Sequence, residues 1–311
     1  MSANQLDLHA SRARFGRAAT NYADASVVQL EVGRRLLERF DLLRLVPQRI
    51  VDAGCGPGTH TAALAARFPS ATILAVDHVA AMVQRAVPVA ARASGGSWIG
   101  RLLARAGEQP ATPRIEGVVA DLGRLPLARE GADVLWSNFA LQFVDDLPAL
   151  FAEWSRVLKV GGVVMFTAPG PDTLIELRRA INLAGDDAAR RVRQFTDLHD
   201  IGDMLVHAGF ADPVMDMELI TLEYATAGAL WRDLRAMGMT NTLAARPRGL
   251  MTPRRLAAIA AGLDAGRRDG GPIRISVEVV YGHAWKVAAK KTADGHGIVR
   301  IDDIRRGPRA G

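Results

Sequence analysis

The stretch Ile50-Val51-Asp52-Ala53-Gly54-Cys55-Gly56-Pro57-Gly58 runs an apolar strand into glycines spaced two apart, and Thr59 then opens a helix. Glycine lets a ligand approach the main chain, and a helix N-terminus behind it offers free N–H groups. Between a strand and a helix, this reads as a nucleotide-binding turn. The third glycine comes one residue too early for the dinucleotide fingerprint. Asp52 at the strand end would repel a diphosphate and suits a ligand carrying ammonium and sulfonium groups. A purely structural tight turn is the alternative.

Asp77 ends the next apolar run, Ile73 to Asp77, where an acid accepts hydrogen bonds from ribose hydroxyls. Alone it would read as a helix cap; coupled to the glycine turn it reads as a ligand. Met82 follows five residues later. Its thioether suits an adenine face, or else fills core. Asp121, with Leu122 beside it, ends a third strand at Val118 to Leu122 and can accept from an adenine amino group. Ser137 and Asn138 end a fourth strand and are expected to floor the reaction centre, the alternative being that they only cap a loop and helix. Three acids on three successive strand ends define a crevice better than any one does.

These residues need a parallel sheet to position them. Strand patterns at Arg49 to Ala53, Thr72 to Asp77, Glu116 to Ala120, Ala132 to Ser137 and Val163 to Thr167 alternate with helical ones at Thr59 to Phe68, Ala80 to Ala91 and Leu147 to Leu158. Before them, residues 1–45 show helical spacing of Val28, Val32, Leu36 and Phe40. The Gly- and Pro-rich segment over 93–114 reads as a surface insertion, with a short basic helix predicted at Trp98 to Ala106. After Pro169, helical segments at Thr173 to Ala184, Leu198 to Ala208, Ala227 to Met237 and Pro253 to Leu263 are expected to form a lid. Alternating runs at Val214 to Tyr224 and Ile275 to Trp285 predict a terminal antiparallel pair.

Composition narrows the function classes. With 311 residues, 49% hydrophobic and 23% charged, the chain has the make-up of a folded globular protein. No apolar run is long enough to cross a bilayer, and the first residues lack a secretory signal, so a cytoplasmic protein without a membrane partner is expected. The single cysteine, Cys55, excludes an internal disulfide and a cysteine-rich zinc site. Of 39 basic residues only Lys159, Lys286, Lys290 and Lys291 are lysines, leaving 35 arginines against 33 acids. The aromatic content is 5% and no basic segment is interleaved with aromatics, so nucleic acid is not the expected partner. No Ser-His-Asp set or metal-binding His pair is legible, and His60 reads as a helix residue.

The motifs at Asp52 to Gly58, Asp77, Asp121 and Ser137 to Phe143 resemble those of the class I methyltransferases that use S-adenosylmethionine, over roughly 50–167. The leader Arg14-Phe15-Gly16-Arg17-Ala18-Ala19-Thr20-Asn21-Tyr22, and Trp136-Ser137-Asn138 with Leu141-Gln142, are similar to the malonyl-acyl-carrier-protein O-methyltransferases of biotin synthesis. That likeness spans most of 12–287. It implies a Rossmann-like α/β fold: a seven-stranded, mostly parallel sheet with an antiparallel terminal pair, N-terminal helices and a helical lid inserted after the fifth strand. The implied divisions are a leader at 1–45 covering the active site, a methyltransferase domain at 46–287 with lid segments within 170–265, and a basic tail at 288–311.

The resemblance implies S-adenosylmethionine as cofactor, S-adenosylhomocysteine as its product, no metal, and an acidic malonyl-acyl carrier protein or malonyl-CoA as substrate. The implied cofactor set is Asp52, Gly54, Gly56, Gly58, Asp77, Met82, Asp121, Leu122, Ser137 and Asn138. Tyr22 and Arg17 are the implied catalytic residues, with Arg178 and Arg235 implied at the substrate; since desolvating a carboxylate is costly unless a cation receives it, at least one of Arg17, Arg178 and Arg235 is expected to do so. Gly170 to Arg178, His199 to Phe210 and Arg232 to Gly238 also resemble the complex I assembly factor that acts as an arginine hydroxylase. A protein-modifying enzyme of that type, and a non-catalytic S-adenosylmethionine-binding protein, stand as the alternatives.

Overall fold

The structure is a computed structural model that describes residues 4–94 and 113–288. The helix expected at Trp98 to Ala106 and nearly all of the expected tail lie outside the described residues. Seven strands form one sheet: β1 (Arg49–Ala53), β2 (Thr72–Asp77), β3 (Arg114–Val119), β4 (Ala132–Asn138), β5 (Leu158–Pro169), β6 (Phe210–Tyr224) and β7 (Ile273–Lys286). Their order is β3-β2-β1-β4-β5-β7-β6.

The first five strands are parallel, and β7 runs antiparallel between β5 and β6. The central strands β1 and β4 are buried over almost their whole length, which explains why they read as continuous apolar runs rather than alternating ones. By contrast β6 sits at an edge and alternates along most of its length between more and less covered positions. The chain order reverses between β1 and β4, so the loops leaving these strands diverge and open a crevice at their carboxyl ends.

Helices cover both faces. On one, α6 (Leu147–Val157) buries Leu150, Phe151, Trp154 and Val157 against Leu135, Val164 and Phe166 of the sheet. The helix α8 (Leu198–His207) joins the same core through Ile201 and Leu205. It was expected among the lid segments and packs instead as a sheet-covering helix, because its apolar face meets β6, β7 and α6. On the other face, α3 (Val27–Glu38) places Val32 and Leu36 in a cluster with Ile50, Trp136 and Leu64, the last from α4 (Thr59–Arg67). Phe40 stacks on Trp136 with ring centroids 5.5 Å apart.

Three further helices form their own small core. Leu177 and Ile181 of α7 (Ile175–Leu183), Leu230 of α9 (Ala227–Ala236) and Ile259 and Leu263 of α10 (Pro253–Ala265) cluster with Tyr224, Ile273 and Ile275. This subdomain therefore stands on the far ends of β6 and β7. The chain start is tied to it: Asp7 N–H donates to Thr242 O at 2.8 Å and Ala244 N–H to Gln5 O at 2.7 Å. From that strap the leader continues as α1 (Leu8–Ala18) and the short α2 (Tyr22–Ala25).

Trp154 is fully buried and its indole N–H donates to Leu122 O at 3.1 Å, so α6 is fastened to the loop after β3. Trp154→Ala is expected to cost about 3–5 kcal/mol of unfolding free energy, from the cavity and the lost bond together. Urea denaturation checks this; a loss below about 1 kcal/mol would contradict the packing.

Candidate functional site

The turn after β1 departs from ordinary backbone. Gly54, Gly56 and Gly58 have φ of +85°, +51° and +92°. A Cβ on Gly58 would lie 2.4 Å from Ala86 Cα, in α5 (Ala80–Ser94), and one on Gly54 would lie 2.5 Å from Ala140 Cβ. Around Gly56 there is open space. Thus two of the three glycines let the turn nestle between α5 and the β4 loop, and the third presents bare main chain.

Asp77 closes this turn. Its carboxylate accepts from Gly56 N–H at 3.1 Å and from Val79 N–H at 2.8 Å, so the residue is at once the cap of the segment entering α5 and a wall of the crevice. A carboxylate has about four acceptor positions, which leaves capacity for ligand hydroxyls. Beside it in the crevice wall are Gly54, Gly56, Met82, Leu122, Asn138 and Tyr22. Met82 is buried and packs with Phe15, Val79 and Tyr22. The Tyr22 phenol is pushed upward by burial and by the Asp77 charge, so it stays protonated.

Asn138 ties the floor to the leader. Its Nδ2 donates to Gln29 O at 2.8 Å, and its Oδ1 accepts from Thr167 Oγ1 at 2.7 Å. The next residue, Phe139, takes φ +50° and donates its N–H to Thr167. A bulky residue in that region is held there by its surroundings, as is common at ligand sites.

Other expected residues stand elsewhere. Asp52 is 2% exposed, lies behind the turn, and accepts from Thr61 Oγ1 at 2.6 Å. Burial, reinforced by the Asp77 charge, raises its carboxyl to about 7 against the Thr61 bond. Gly58 packs on α5 rather than lining the crevice. Asp121 is exposed and accepts from Gly123 N–H at 2.8 Å, so only its neighbour Leu122 reaches the crevice. Ser137 is fully buried and donates to Ala53 O at 2.8 Å, bracing β4 against β1. Strand pleat explains this: Ser137 and Asn138 point to opposite faces.

The three arginines also separate. Arg17 is exposed on α1. Arg178 donates to Pro171 O at 2.8 Å and Thr173 O at 2.5 Å, bracing the turn before α7. Arg235 alone lines the cavity enclosed by α7, α9, α10 and the leader. That cavity shares Phe15 and Phe143 with the crevice, and its volume is about 470 Å³. Sequence reasoning included Gln142, which lines it, only within the segment after the fourth strand expected to floor the reaction centre, and missed Arg193, which lines it and pairs with Asp145 at 3.0 Å. No local pattern marks Arg193.

The donor set fits an adenosine-bearing sulfonium cofactor. It offers a carboxylate for ribose hydroxyls, bare glycine main chain, apolar flanks for a base, and no cation that would select a diphosphate within the crevice wall.

A family profile described as a methyltransferase domain matches residues 51–166. A malonyl-[acyl-carrier protein] O-methyltransferase of Gallionella capsiferriformans is 42% identical over 295 residues, covering 95% of this chain and 96% of that one. The protein of the same description from Laribacter hongkongensis is 45% identical, covering 93% of this chain and 94% of its own. Among solved structures, the YcgJ protein of a Bacillus species superposes with a TM-score of 0.54 at 16% identity, covering 82% of this chain and 100% of that one, a likeness of fold.

Because folding raises the Asp52 carboxyl, the folded state holds a proton that the unfolded chain releases near the ordinary carboxylate range. Stability from this group is full at low pH and is lost as pH rises toward about 7. Asp52→Asn removes the ionisation, so its stability relative to the wild type should improve steadily between about pH 4 and 7.5. Thermal melts of both proteins across that range check this; a difference independent of pH would contradict it.

Proposed function

We infer what this site does from the premise that the chain belongs to the malonyl-[acyl-carrier protein] O-methyltransferase family. It is an S-adenosylmethionine-dependent carboxyl methyltransferase, acting on the free carboxylate of a malonyl thioester carried by acyl carrier protein. The likeness of the leader sets the resulting methyl ester in biotin synthesis. No described helix is long and apolar enough to cross a membrane.

The observation that supports the site assignment is the convergence of Asp77, Gly54, Gly56, Met82, Leu122 and Asn138 on one crevice at the switch point of the sheet. When bound there, S-adenosylmethionine supplies an electrophilic methyl group and becomes S-adenosylhomocysteine. In our reading Asp77 holds the ribose hydroxyls, the Gly54 to Gly56 main chain meets the polar end, and Met82 and Leu122 flank the base. Asp52, Gly58 and Ser137 position these groups from behind. Tyr22 and Phe15 close the crevice and keep water from the reacting carboxylate.

A malonyl carboxylate is ionised at neutral pH, so the chain needs no general base. Its work is to align the carboxylate oxygen and to desolvate it. Desolvation is costly unless a cation receives the charge. Arg235 is exposed like Arg17, but of the three it alone lines the cavity that adjoins the crevice, and it makes no ion pair among the described residues, so we assign it that task in place of Arg17 and Arg178. Arg232, Arg248, Arg254 and Arg255 are exposed on the same subdomain, a surface suited to an acidic carrier protein.

Asp77→Ala is expected to weaken S-adenosylmethionine binding roughly 10–100-fold, the cost of losing charge-assisted hydrogen bonds. Arg235→Ala should raise KM for malonyl carrier protein with the cofactor affinity intact, and kcat/KM of the wild type should fall with added salt. Calorimetry and steady-state kinetics check all three. Unchanged cofactor affinity in the first variant and unchanged kinetics in the second would remove these assignments.

A further inference from the structure

The cavity between the lid helices and the leader is far larger than a malonyl group needs. At about 470 Å³ it falls in the range that buries a drug-sized ligand. Its wall is mainly apolar, with Leu177, Leu234, Leu243 and Ile259 contributed by α7, α9, the strap partner and α10. It is closed on one side by the chain start, since Leu6 lines it and pairs with Leu243.

One polar side chain in this wall is unsatisfied. Gln142 is 8% exposed, and its amide oxygen is buried with no hydrogen-bond partner. It sits on the 3-10 turn Leu141–Phe143 directly after the β4 loop, next to Phe143, which belongs to the crevice and the cavity alike. An orphaned buried amide is costly, and a hydrogen-bonding partner bound in the cavity would recover that cost. Two other polar residues of the wall, Arg193 and Asn241, spend their groups on Asp145 and Val144, and on Arg190 and Leu243.

An all-hydrocarbon acyl chain would fill the apolar wall but leave Gln142 unpaired. A slender chain with amide groups would satisfy both. Acyl groups reach enzymes from carrier proteins on such a chain, the pantetheine arm, whose methylene and gem-dimethyl segments alternate with two amides.

We propose that this cavity binds the pantetheine arm of the thioester substrate, with the Gln142 amide paired to the arm near its thioester end. This rests on the carboxyl methyltransferase reading and adds the part of the substrate that the lid recognises. The malonyl carboxylate then points past Phe143 toward the crevice, and the lid subdomain on β6 and β7 selects for the carrier-borne form of the acyl group.

The test compares malonyl-pantetheine with the malonyl thioester of N-acetylcysteamine, which keeps only the end of the arm next to sulfur. In the wild type, truncation should lower kcat/KM at least 10-fold. Thr240→Trp and Leu256→Trp, which fill the cavity from two different walls, should lower kcat/KM for malonyl-pantetheine about 10-fold and shrink its advantage over the truncated substrate. Gln142→Leu should raise KM for both substrates about 10-fold. Cofactor affinity measured on each variant confirms an intact crevice. Equal kinetics for the two substrates in the wild type, or a substrate ratio unmoved by either tryptophan, would overturn the inference while leaving methyl transfer standing. Methylation of malonyl carrier protein but of neither small thioester would overturn the inference alone; a wild type that binds cofactor yet methylates none of the three would overturn the underlying reading, and the inference with it.

Discussion

Two carboxylates are buried at the ends of adjacent parallel strands, and the rest of the site is arranged around holding them there. Desolvation raises the cost of ionising both, and the Asp77 charge adds to it at Asp52. The fold offsets this with directed hydrogen bonds: Thr61 serves Asp52, and the N–H groups of Gly56 and Val79 serve Asp77. The Gly56 bond comes from within the turn that takes left-handed backbone at three glycines. In the proposed reading, a cationic cofactor beside this pair would relieve that electrostatic cost, coupling its binding to protonation.

The second half of the chain builds on the same sheet in a different way. The antiparallel β7 lets the long edge strand β6 run beyond the parallel core, and α7, α9 and α10 stand on that extension. The leader links the two halves. Its first residues pair with 242–244, and Phe15 and Tyr22 then cover the crevice, with Phe15 packed edge-on to Phe143 at 4.8 Å. One aromatic pair therefore stands between the crevice and the cavity, where, in the proposed reading, it would help exclude water from the nucleophile.

Much of this was legible in the sequence, for physical reasons that differ by element. The parallel strands are buried on both faces and so read as apolar runs ended by acids, and the glycine turn declared itself through spacing. The antiparallel pair was visible through alternation in Val214 to Tyr224 and Ile275 to Trp285. What sequence could not give was the side on which a residue faces: Ser137 braces β1 while Asn138 meets the leader, and Asp121 caps Gly123 while Leu122 turns inward. Nor could it separate the lid helices from α8, because every one of them is amphipathic and only the partner decides. Arg178 and Arg235 look alike in sequence; tertiary contact binds Arg178 to the carbonyls of the turn before α7, whereas Arg235, bonded among the described residues only to Trp231 O of its own helix, lines the cavity.

The central claim is that the crevice and the adjoining cavity bring a sulfonium methyl group to a malonyl carboxylate. It is tested most directly with S-adenosylmethionine labelled in its methyl group, offered with malonyl carrier protein and with the unacylated and acetyl-loaded carriers. Label should pass to the malonyl form alone and be released by mild base, as an ester is. Label on the acetyl or unacylated carrier, or none on the malonyl form while the cofactor is demonstrably bound, would contradict the account.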